Sequence, residues 1–145
     1  MTDSKNKEQI NPLYRLVIER KYAIEEILYE MLKDLVKFEK GTRSIIFQEP
    51  FYRCLDSDAK IVVTLAAIYA LYKLGWRDNP NIGLKELSQI TGLNYNTVRP
   101  RLSKAGKAYK YSEKVDQGIY KISESKLYEA KQYILDVLSK CMEGR

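Results

Sequence analysis

Apolar residues recur at helical spacing near both ends of the chain. Over residues 11–40 they repeat at heptad positions, at Tyr14, Leu28 and Leu35 and, three residues later, at Val17, Ile24, Met31 and Phe38. This seam predicts one long N-terminal helix that ends at Gly41. A second seam predicts a C-terminal helix that begins at a Ser123 cap, with an apolar face formed by Leu127, Ala130, Ile134, Val137 and Cys141.

Apolar seams of this length pack either on their own domain or on the same helix of a second copy, and periodicity does not distinguish the two. We predict a homodimer that forms through one or both terminal helices. The predicted interface residues are Val17, Ile24, Met31, Leu127, Ile134 and Val137.

Between the two terminal helices the pattern changes several times. Residues 44–47 fit a short strand, and Pro50 marks a boundary. Residues 57–74 are apolar on nearly every helical side, between a cap at Asp56 or Ser57 and a stop at Gly75. This pattern predicts a helix at the buried centre of the protein. A shorter helix is predicted over residues 84–91 and a basic helix over residues 95–107.

Strand-like alternation in "AYKYSEKV" and "GIYKIS" surrounds a turn at "DQG". It predicts a hairpin over residues 109–123, with Gly118 at the turn position that requires a positive φ. The predicted fold class is therefore mainly α with a small β-hairpin. We divide the chain into a flexible tail (1–10), an N-terminal helix and connector (11–50), and a domain that includes the C-terminal helix (51–145).

The composition is that of an ordinary soluble protein, with 45% hydrophobic and 30% charged residues among 145. This length allows one domain with a substantial core. The longest apolar run, residues 61–72, is shorter than the ~20 residues that a membrane span needs. The N-terminus also lacks the apolar core of a signal peptide. We therefore expect a cytoplasmic protein without a membrane association.

Residues that commonly perform catalysis are scarce. The chain has no histidine, which is the commonest general base and transition-metal ligand. The sequence contains no phosphate-binding glycine loop, nucleophile elbow or paired-carboxylate motif. Two cysteines, Cys54 and Cys141, are too few for a zinc site or a disulfide framework, so we interpret them as small buried hydrophobic residues. We expect no enzyme activity, no metal and no cofactor.

Positive charge is concentrated in the second part of the chain. Residues 1–50 contain nine Lys or Arg and nine Asp or Glu, whereas residues 51–145 contain sixteen against ten. Within residues 93–121 there are seven basic residues and two acidic ones. Such a density is typical of a surface that faces a polyanion, and a solvated basic face is the alternative.

The segment "LSQITGLNYNTVRPRL" and the order helix, helix, turn, helix, hairpin, helix together resemble a winged helix-turn-helix DNA-binding domain. The resemblance extends from residue 56 to about residue 140, and the N-terminal helix lies outside it. A small residue is required where the two helices meet, and Ser88 occupies that position. Gly92 occupies the turn. The apolar positions of the motif are Leu87, Ile90, Leu93, Val98 and Leu102.

The resemblance implies that the helix over residues 95–107 enters the major groove of DNA, with the hairpin over residues 109–123 as the wing. If Val98 and Leu102 are buried, helical spacing turns the candidate base-reading residues outward, namely Tyr95, Asn96, Arg99 and Ser103. Tyr95 has an alternative role as an aromatic cover for the turn. Candidate phosphate ligands are Arg101, Lys104, Lys107, Lys110 and Lys114, with the minor groove as the alternative target of Lys114 at the wing tip.

Pro100 departs from the motif. It removes a helical hydrogen bond, and so bends or loosens the start of the helix whether Asn94 or Asn96 is the cap. Pro100 either lies where the helix has barely begun or fixes a bend that aims Arg99 and Arg101 at different parts of the groove.

Two functions are consistent with these patterns. One is a sequence-specific DNA-binding protein, most simply a transcriptional regulator that binds double-stranded DNA as a dimer. The other is a winged-helix adaptor in a replication, transcription or membrane-remodelling complex, which binds a protein partner through the N-terminal helix and the tyrosines. We favour DNA binding because the excess charge lies on the predicted reading helix and wing.

Overall fold

The computed structural model describes residues 11–17, 20–104 and 106–143. The predicted tail, residues 1–10, lies outside this part of the chain. A 3-10 helix, Pro12–Leu16, buries none of its residues, and helix α1, Arg20–Leu32, follows it. Strand β1, Val36–Phe38, then pairs antiparallel with strand β2, Ile45–Phe47. The short strand predicted at residues 44–47 is thus confirmed.

The prediction of one helix over residues 11–40 is wrong at both ends. The α-helical part ends at Leu32, and Gly41 lies in the turn of the β1–β2 hairpin instead of ending a helix. Val36 and Phe38 are residue types that favour strands, and the next apolar segment supplies the partner strand. In the turn, the Glu39 carboxylate accepts hydrogen bonds from the backbone N–H and the hydroxyl of Thr42.

Helix α2, Glu49–Cys54, has no counterpart among the predictions. Pro50 lies in its first turn, where the missing N–H leaves no helical hydrogen bond unmade. Phe51 is fully buried and stacks on Phe47, with ring centroids 3.7 Å apart.

The interpretation of both cysteines as free hydrophobic residues is wrong. Cys54 forms a disulfide bond with Cys141, which lies 87 residues away in the sequence. The fold brings their Cα atoms to 5.6 Å, within the range that a disulfide spans. The bond joins the end of α2 to the last turns of the C-terminal helix.

Helix α3, Ser57–Lys73, is buried on nearly every side and confirms the predicted central helix. The Asp56 side chain caps it by accepting the backbone N–H of Ala59 at 2.9 Å. Gly75 follows the helix with a φ of 78°, a left-handed conformation that favours glycine. The loop beyond it is held by Arg77, which donates to the Glu86 carboxylate and to the carbonyl oxygen of Asn81.

Strand β3, Ile82–Gly83, precedes helix α4, Leu84–Thr91, which confirms the predicted helix at these residues. Two short helices then follow, α5, Tyr95–Arg101, and α6, Lys107–Tyr111. The single basic helix predicted over residues 95–107 is wrong, because the structure divides this segment into two helices.

Strands β4, Ser112–Asp116, and β5, Ile119–Ile122, form the second hairpin, with Gly118 at the turn and a φ of 68°. They join β3 in a three-stranded antiparallel sheet of order β3-β5-β4. The hairpin and its turn residue are confirmed, but its predicted start at residue 109 is wrong. Residues 109–111 belong to α6.

A 3-10 helix, Glu124–Lys126, leads into the C-terminal helix α7, Leu127–Glu143. Ser123 lies at the cap position of the 3-10 helix without a side-chain bond to its backbone. Helix α1 packs against α3 and α7, so the N-terminal helix shares the core of the rest of the chain. Among the helices of the described ranges, none has the length and apolar character needed to cross a bilayer.

This packing corrects most of the predicted dimer interface. Four of the predicted residues are buried in the core of a single protomer, where the apolar faces of both terminal helices pack against the other elements. They are Ile24, Met31, Leu127 and Ile134. A partner copy has no access to them. Val137 is half-buried against that core, and Val17 is exposed.

Candidate nucleic-acid interface

The turn between α4 and α5 is stabilised by side-chain hydrogen bonds to the backbone. Ser88 donates through Oγ to the carbonyl oxygen of Leu93, and Thr91 Oγ1 accepts the backbone N–H of the same residue at 3.2 Å. Gly92 has a φ of 76°, so a residue with a side chain would be strained there. Leu87 is fully buried beneath the turn. These contacts set the angle at which α5 leaves α4.

Helix α5 presents one buried side and one exposed side. Asn94 is its cap, since its side-chain oxygen accepts the backbone N–H of Asn96 at 2.8 Å. Val98 is fully buried, and Leu102 just beyond the helix is buried as well, as predicted. The opposite side leaves three of the candidate base-reading residues exposed, namely Tyr95, Asn96 and Arg99.

Helix α5 ends at Arg101, the residue after Pro100. Beyond it, the N–H groups of Leu102 and Ser103 donate to the carbonyls of Arg99 and Pro100, three residues back. The Ser103 hydroxyl also donates to the Pro100 carbonyl oxygen. Ser103 therefore follows the helix instead of lying on its exposed side, and its hydroxyl is engaged by the backbone. This geometry argues against its predicted role in reading bases.

The connection from α5 to α6 depends on a close backbone approach. A Cβ atom added at Gly106 would overlap the backbone of Arg101. Only glycine allows the chain to turn back this closely and start α6. An open groove of about 530 Å³ lies beside the connection, and its lining includes Asp58, Asn96, Thr97, Pro100, Arg101 and Lys107.

Asp58, in the first turn of α3, joins three helices at the base of this groove. Its side chain is 8% exposed. Oδ2 accepts a hydrogen bond from Arg101 Nη1 at 2.7 Å, and Oδ1 accepts the backbone N–H of Ala108 at 3.0 Å. Arg101, predicted to bind phosphate, is thus committed to an ion pair, although its side chain stays 39% exposed.

The sequence analysis missed the role of Asp58. An acidic residue in the first turn of a helix is explained by the helix dipole alone, and no local pattern connects it to an arginine 43 residues away. A buried carboxylate needs a charged or hydrogen-bonding partner. The only sequence signal was an aspartate at the start of a helix that is otherwise apolar on nearly every side.

Tyr133 of α7 approaches the same cluster. Its ring stacks on Tyr111 of α6, with centroids 5.1 Å apart. Its hydroxyl is buried and makes no hydrogen bond within the described part of the chain. Burial raises the pKa of Tyr133 above the ordinary tyrosine value, and the negative charges of Asp56 and Asp58 raise it further.

Most of the predicted phosphate ligands are exposed, and the structure records no ion pair for them within residues 11–17, 20–104 and 106–143. They are Lys104, Lys107, Lys110 and Lys114. Lys110 lies over the ring of Tyr111, with Nζ 5.5 Å from the centroid. Lys121, on β5, is paired with Glu113 across the hairpin at 3.4 Å. The basic side chains of α6 and the hairpin therefore remain largely available to an anionic partner.

Within the described residues, no three histidine, cysteine, aspartate or glutamate side chains gather as a metal site. Comparisons with protein-family models, curated proteins and solved structures found no match for this chain.

Proposed function

We propose that the chain is a DNA-binding protein of the winged helix-turn-helix type, most simply a sequence-specific transcriptional regulator. In this proposal α5 enters the major groove of duplex DNA and the β4–β5 hairpin is the wing. The observation that carries the proposal is the two-sided character of α5. Its inner side is anchored by Val98 and Leu102, while Asn96 and Arg99 project from an exposed side next to the basic residues of α6.

The short length of α5 fits entry by its first turns. Seven residues rise about 10 Å, and the major groove is about 12 Å wide. Asn96 and Arg99, one turn apart, can each pair with a base edge, adenine and guanine respectively. The four exposed lysines Lys104, Lys107, Lys110 and Lys114, for which the described part of the chain holds no ion pair, are assigned to phosphates.

The proposal includes a homodimer that works in the cytoplasm. Two winged helices related by a two-fold axis would bind half-sites one helical turn or a multiple apart. Because the core of the protomer already covers most of the predicted interface, the contact must use other surfaces. Of the residues assigned to it, Val17 and Val137 retain accessible side chains.

The alternative function, a protein-binding adaptor, is favoured by a different surface. A groove of about 630 Å³ lies between α1, β1 and the end of α3, with apolar lining from Leu28, Leu32, Val36 and Phe38. Tyr29 and Leu74 at this groove are 62% and 55% exposed. Exposed apolar surface of this kind is typical of contacts with another protein.

Selection of sequences from a random duplex library, followed by titration of the selected site, tests DNA binding. If each protomer places about four lysines on phosphates, the logarithm of the binding constant should fall with the logarithm of salt concentration with a slope of about −3 to −4. Arg99→Ala should reduce the preference for the selected site by about 1–3 kcal/mol. Lys104→Ala should weaken binding to all duplexes equally and reduce the salt dependence of the binding constant by about one unit of slope.

Lys37→Ala is the matched control. Lys37, on β1, lines the apolar groove together with Lys73 at the end of α3. Asp58 lies at the other end of that helix, about 22 Å from Lys73 at 1.5 Å per residue. Removal of the Lys37 side chain subtracts the same charge without touching the proposed interface. Equal losses for the Lys37 and Lys104 variants, or no enrichment of any sequence by the native protein, would rule out the proposed DNA surface.

A further inference from the structure

We infer that Asp58 is a positioning residue for sequence discrimination, which holds the end of α5 and the start of α6 in the one arrangement that aims Arg99 and Asn96 at base edges. This inference rests on the proposed function and adds to it a residue that lies outside the helix-turn-helix motif. Asp58 itself does not touch DNA in this account. It acts through Arg101 and through the backbone of Ala108.

The contacts of Asp58 support this role because each carboxylate oxygen bonds to a different helix. Oδ2 accepts from Arg101, the last residue of α5, at 2.7 Å, and Oδ1 accepts from the backbone N–H of Ala108, the second residue of α6, at 3.0 Å. Asp58 itself belongs to α3, the most buried helix. The buried central helix is thus bonded directly to both ends of the α5–α6 connection.

The end of α5 has little internal support. Pro100 has no N–H, so the bond that would reach the Asn96 carbonyl is missing, and the helix ends one residue later. Arg101 lies next to the proline and is the residue that Asp58 holds. An ion pair that is largely buried on the carboxylate side fixes geometry more firmly than an exposed one. The tertiary bond therefore replaces the restraint that Pro100 removes.

The orientation of α5 matters because discrimination depends on it. Arg99 lies two residues before Arg101, on the exposed side of the same short helix. A bidentate contact with a base requires the planar guanidinium to meet two acceptors at once, whereas a lysine–phosphate contact tolerates small displacements. Loosening the end of α5 should therefore reduce the preference for one sequence and leave binding to random duplex nearly unchanged.

Asp58→Asn tests this inference with the smallest change of shape. Asparagine retains an oxygen that accepts the Ala108 N–H, but it loses the charge that holds Arg101. The measured quantity is the ratio of affinities for the selected site and for random duplex, at a temperature where circular dichroism shows the variant folded. We expect the ratio to fall about 10-fold, the lower end of what one base contact contributes.

Two further variants identify the cause. Arg101→Met breaks the same link from the other side, and the double variant Asp58→Asn/Arg101→Met should show no greater fall than either single change, because all three remove one interaction. Asp78→Asn, in the exposed loop after α3, adds the same net charge and should leave the ratio unchanged. If Asp58→Asn fails to fold, Arg101→Met alone provides the measurement.

The outcomes separate the two proposals. If Asp58→Asn and Arg101→Met both leave the ratio of affinities for the selected site and random duplex unchanged, the positioning role is wrong, although the proposed DNA recognition still holds. Equal falls for Asp58→Asn and Asp78→Asn also overturn it, since the effect would then be one of net charge. If the native protein enriches no sequence at all, the proposed function fails and the positioning role fails with it.

Discussion

Removing the disulfide between Cys54 and Cys141 should destabilise the protein strongly. The bond closes a loop across 87 residues of sequence. In the chain-entropy account, a cross-link over a loop of this length restricts the unfolded chain by about 4.5 kcal/mol at 25 °C. A domain of this size has a free energy of unfolding of about 5–15 kcal/mol. The double variant Cys54→Ser/Cys141→Ser should therefore lose a large part of its stability and melt roughly 10–15 °C lower.

Urea unfolding, followed by the fluorescence of Trp76 and by circular dichroism, measures this loss. The oxidised protein, the same protein after reduction and the double serine variant should be compared, with thiols counted by alkylation under denaturing conditions. The last two should unfold at the same lower urea concentration. Their dependence of free energy on urea should be steeper, because an unfolded chain without the cross-link exposes more surface. If all three unfold within about 0.5 kcal/mol of one another, the loop-closure reasoning is refuted.

The same comparison bears on the proposed cytoplasmic location. Disulfides are rare in the cytosol, except in hyperthermophiles. DNA binding should therefore be measured with both the oxidised and the reduced protein. The bond joins α2 to the last turn of α7, and neither segment belongs to the proposed DNA surface. We accordingly expect the two forms to bind DNA alike wherever both are folded.

Four further changes have defined outcomes. Tyr133→Phe should stabilise the protein by about 1 kcal/mol in urea unfolding, because the buried Tyr133 hydroxyl has no partner in the described chain. Tyr69→Phe should instead destabilise it by about 1 kcal/mol, because the Tyr69 hydroxyl donates to Glu124 Oε2 at 2.8 Å. Burial raises the pKa of Tyr133 in the folded protein, so above about pH 10 this tyrosine ionises in the unfolded chain before it does in the folded one. The native protein therefore loses stability as the pH rises above that value, and the phenylalanine variant should lose less. Pro100→Ala should raise the free energy of unfolding by about 1 kcal/mol, which is less than the full helical cost of proline because α5 ends one residue later. The preference for the selected DNA site should not change. A fall in that preference would show that Pro100 itself aims the helix. Met31→Glu should unfold the protomer, because it places a charge in the core where Met31 is 1% exposed. If the native protein is a dimer by light scattering and the variant is a monomer that circular dichroism shows to be folded, Met31 lies in the dimer interface as the sequence predicted.

Local signals in the sequence predicted the elements that depend on local chemistry. The predicted cap at Asp56 or Ser57 is observed at Asp56, and Gly118 has the positive φ that its turn position predicted. Gly75 as a helix stop and Gly92 in a turn were also predicted from single residues, and both have a positive φ as well. The burial of Val98 and Leu102 was implied by the resemblance to the helix-turn-helix motif, which places apolar anchors at these positions. These features supported the division into helices and hairpin from residue 56 onward.

The errors concern elements whose structure depends on a distant partner. Leu35 and Phe38 fit a heptad, yet Leu35 lies in a turn and Phe38 in the strand Val36–Phe38, which pairs with Ile45–Phe47. The disulfide and the Asp58–Arg101 pair connect residues 87 and 43 positions apart. Neither contact produces a repeating pattern in the sequence. Each can be recognised only once the folded structure shows which residues lie close together.

The segment around α6 shows how such a distant contact changes the candidate site. Residues 108–115 alternate like a strand, and sequence reasoning placed Lys110 on the wing. In the structure Ala108 is buried and donates its N–H to Asp58, and Tyr111 is buried against Tyr133. These tertiary contacts favour one helical turn over an extended strand, although local alternation favours the strand. Lys107 and Lys110 consequently extend from a helix that Asp58 also holds, so the same carboxylate that anchors the end of α5 places part of the basic surface beside it.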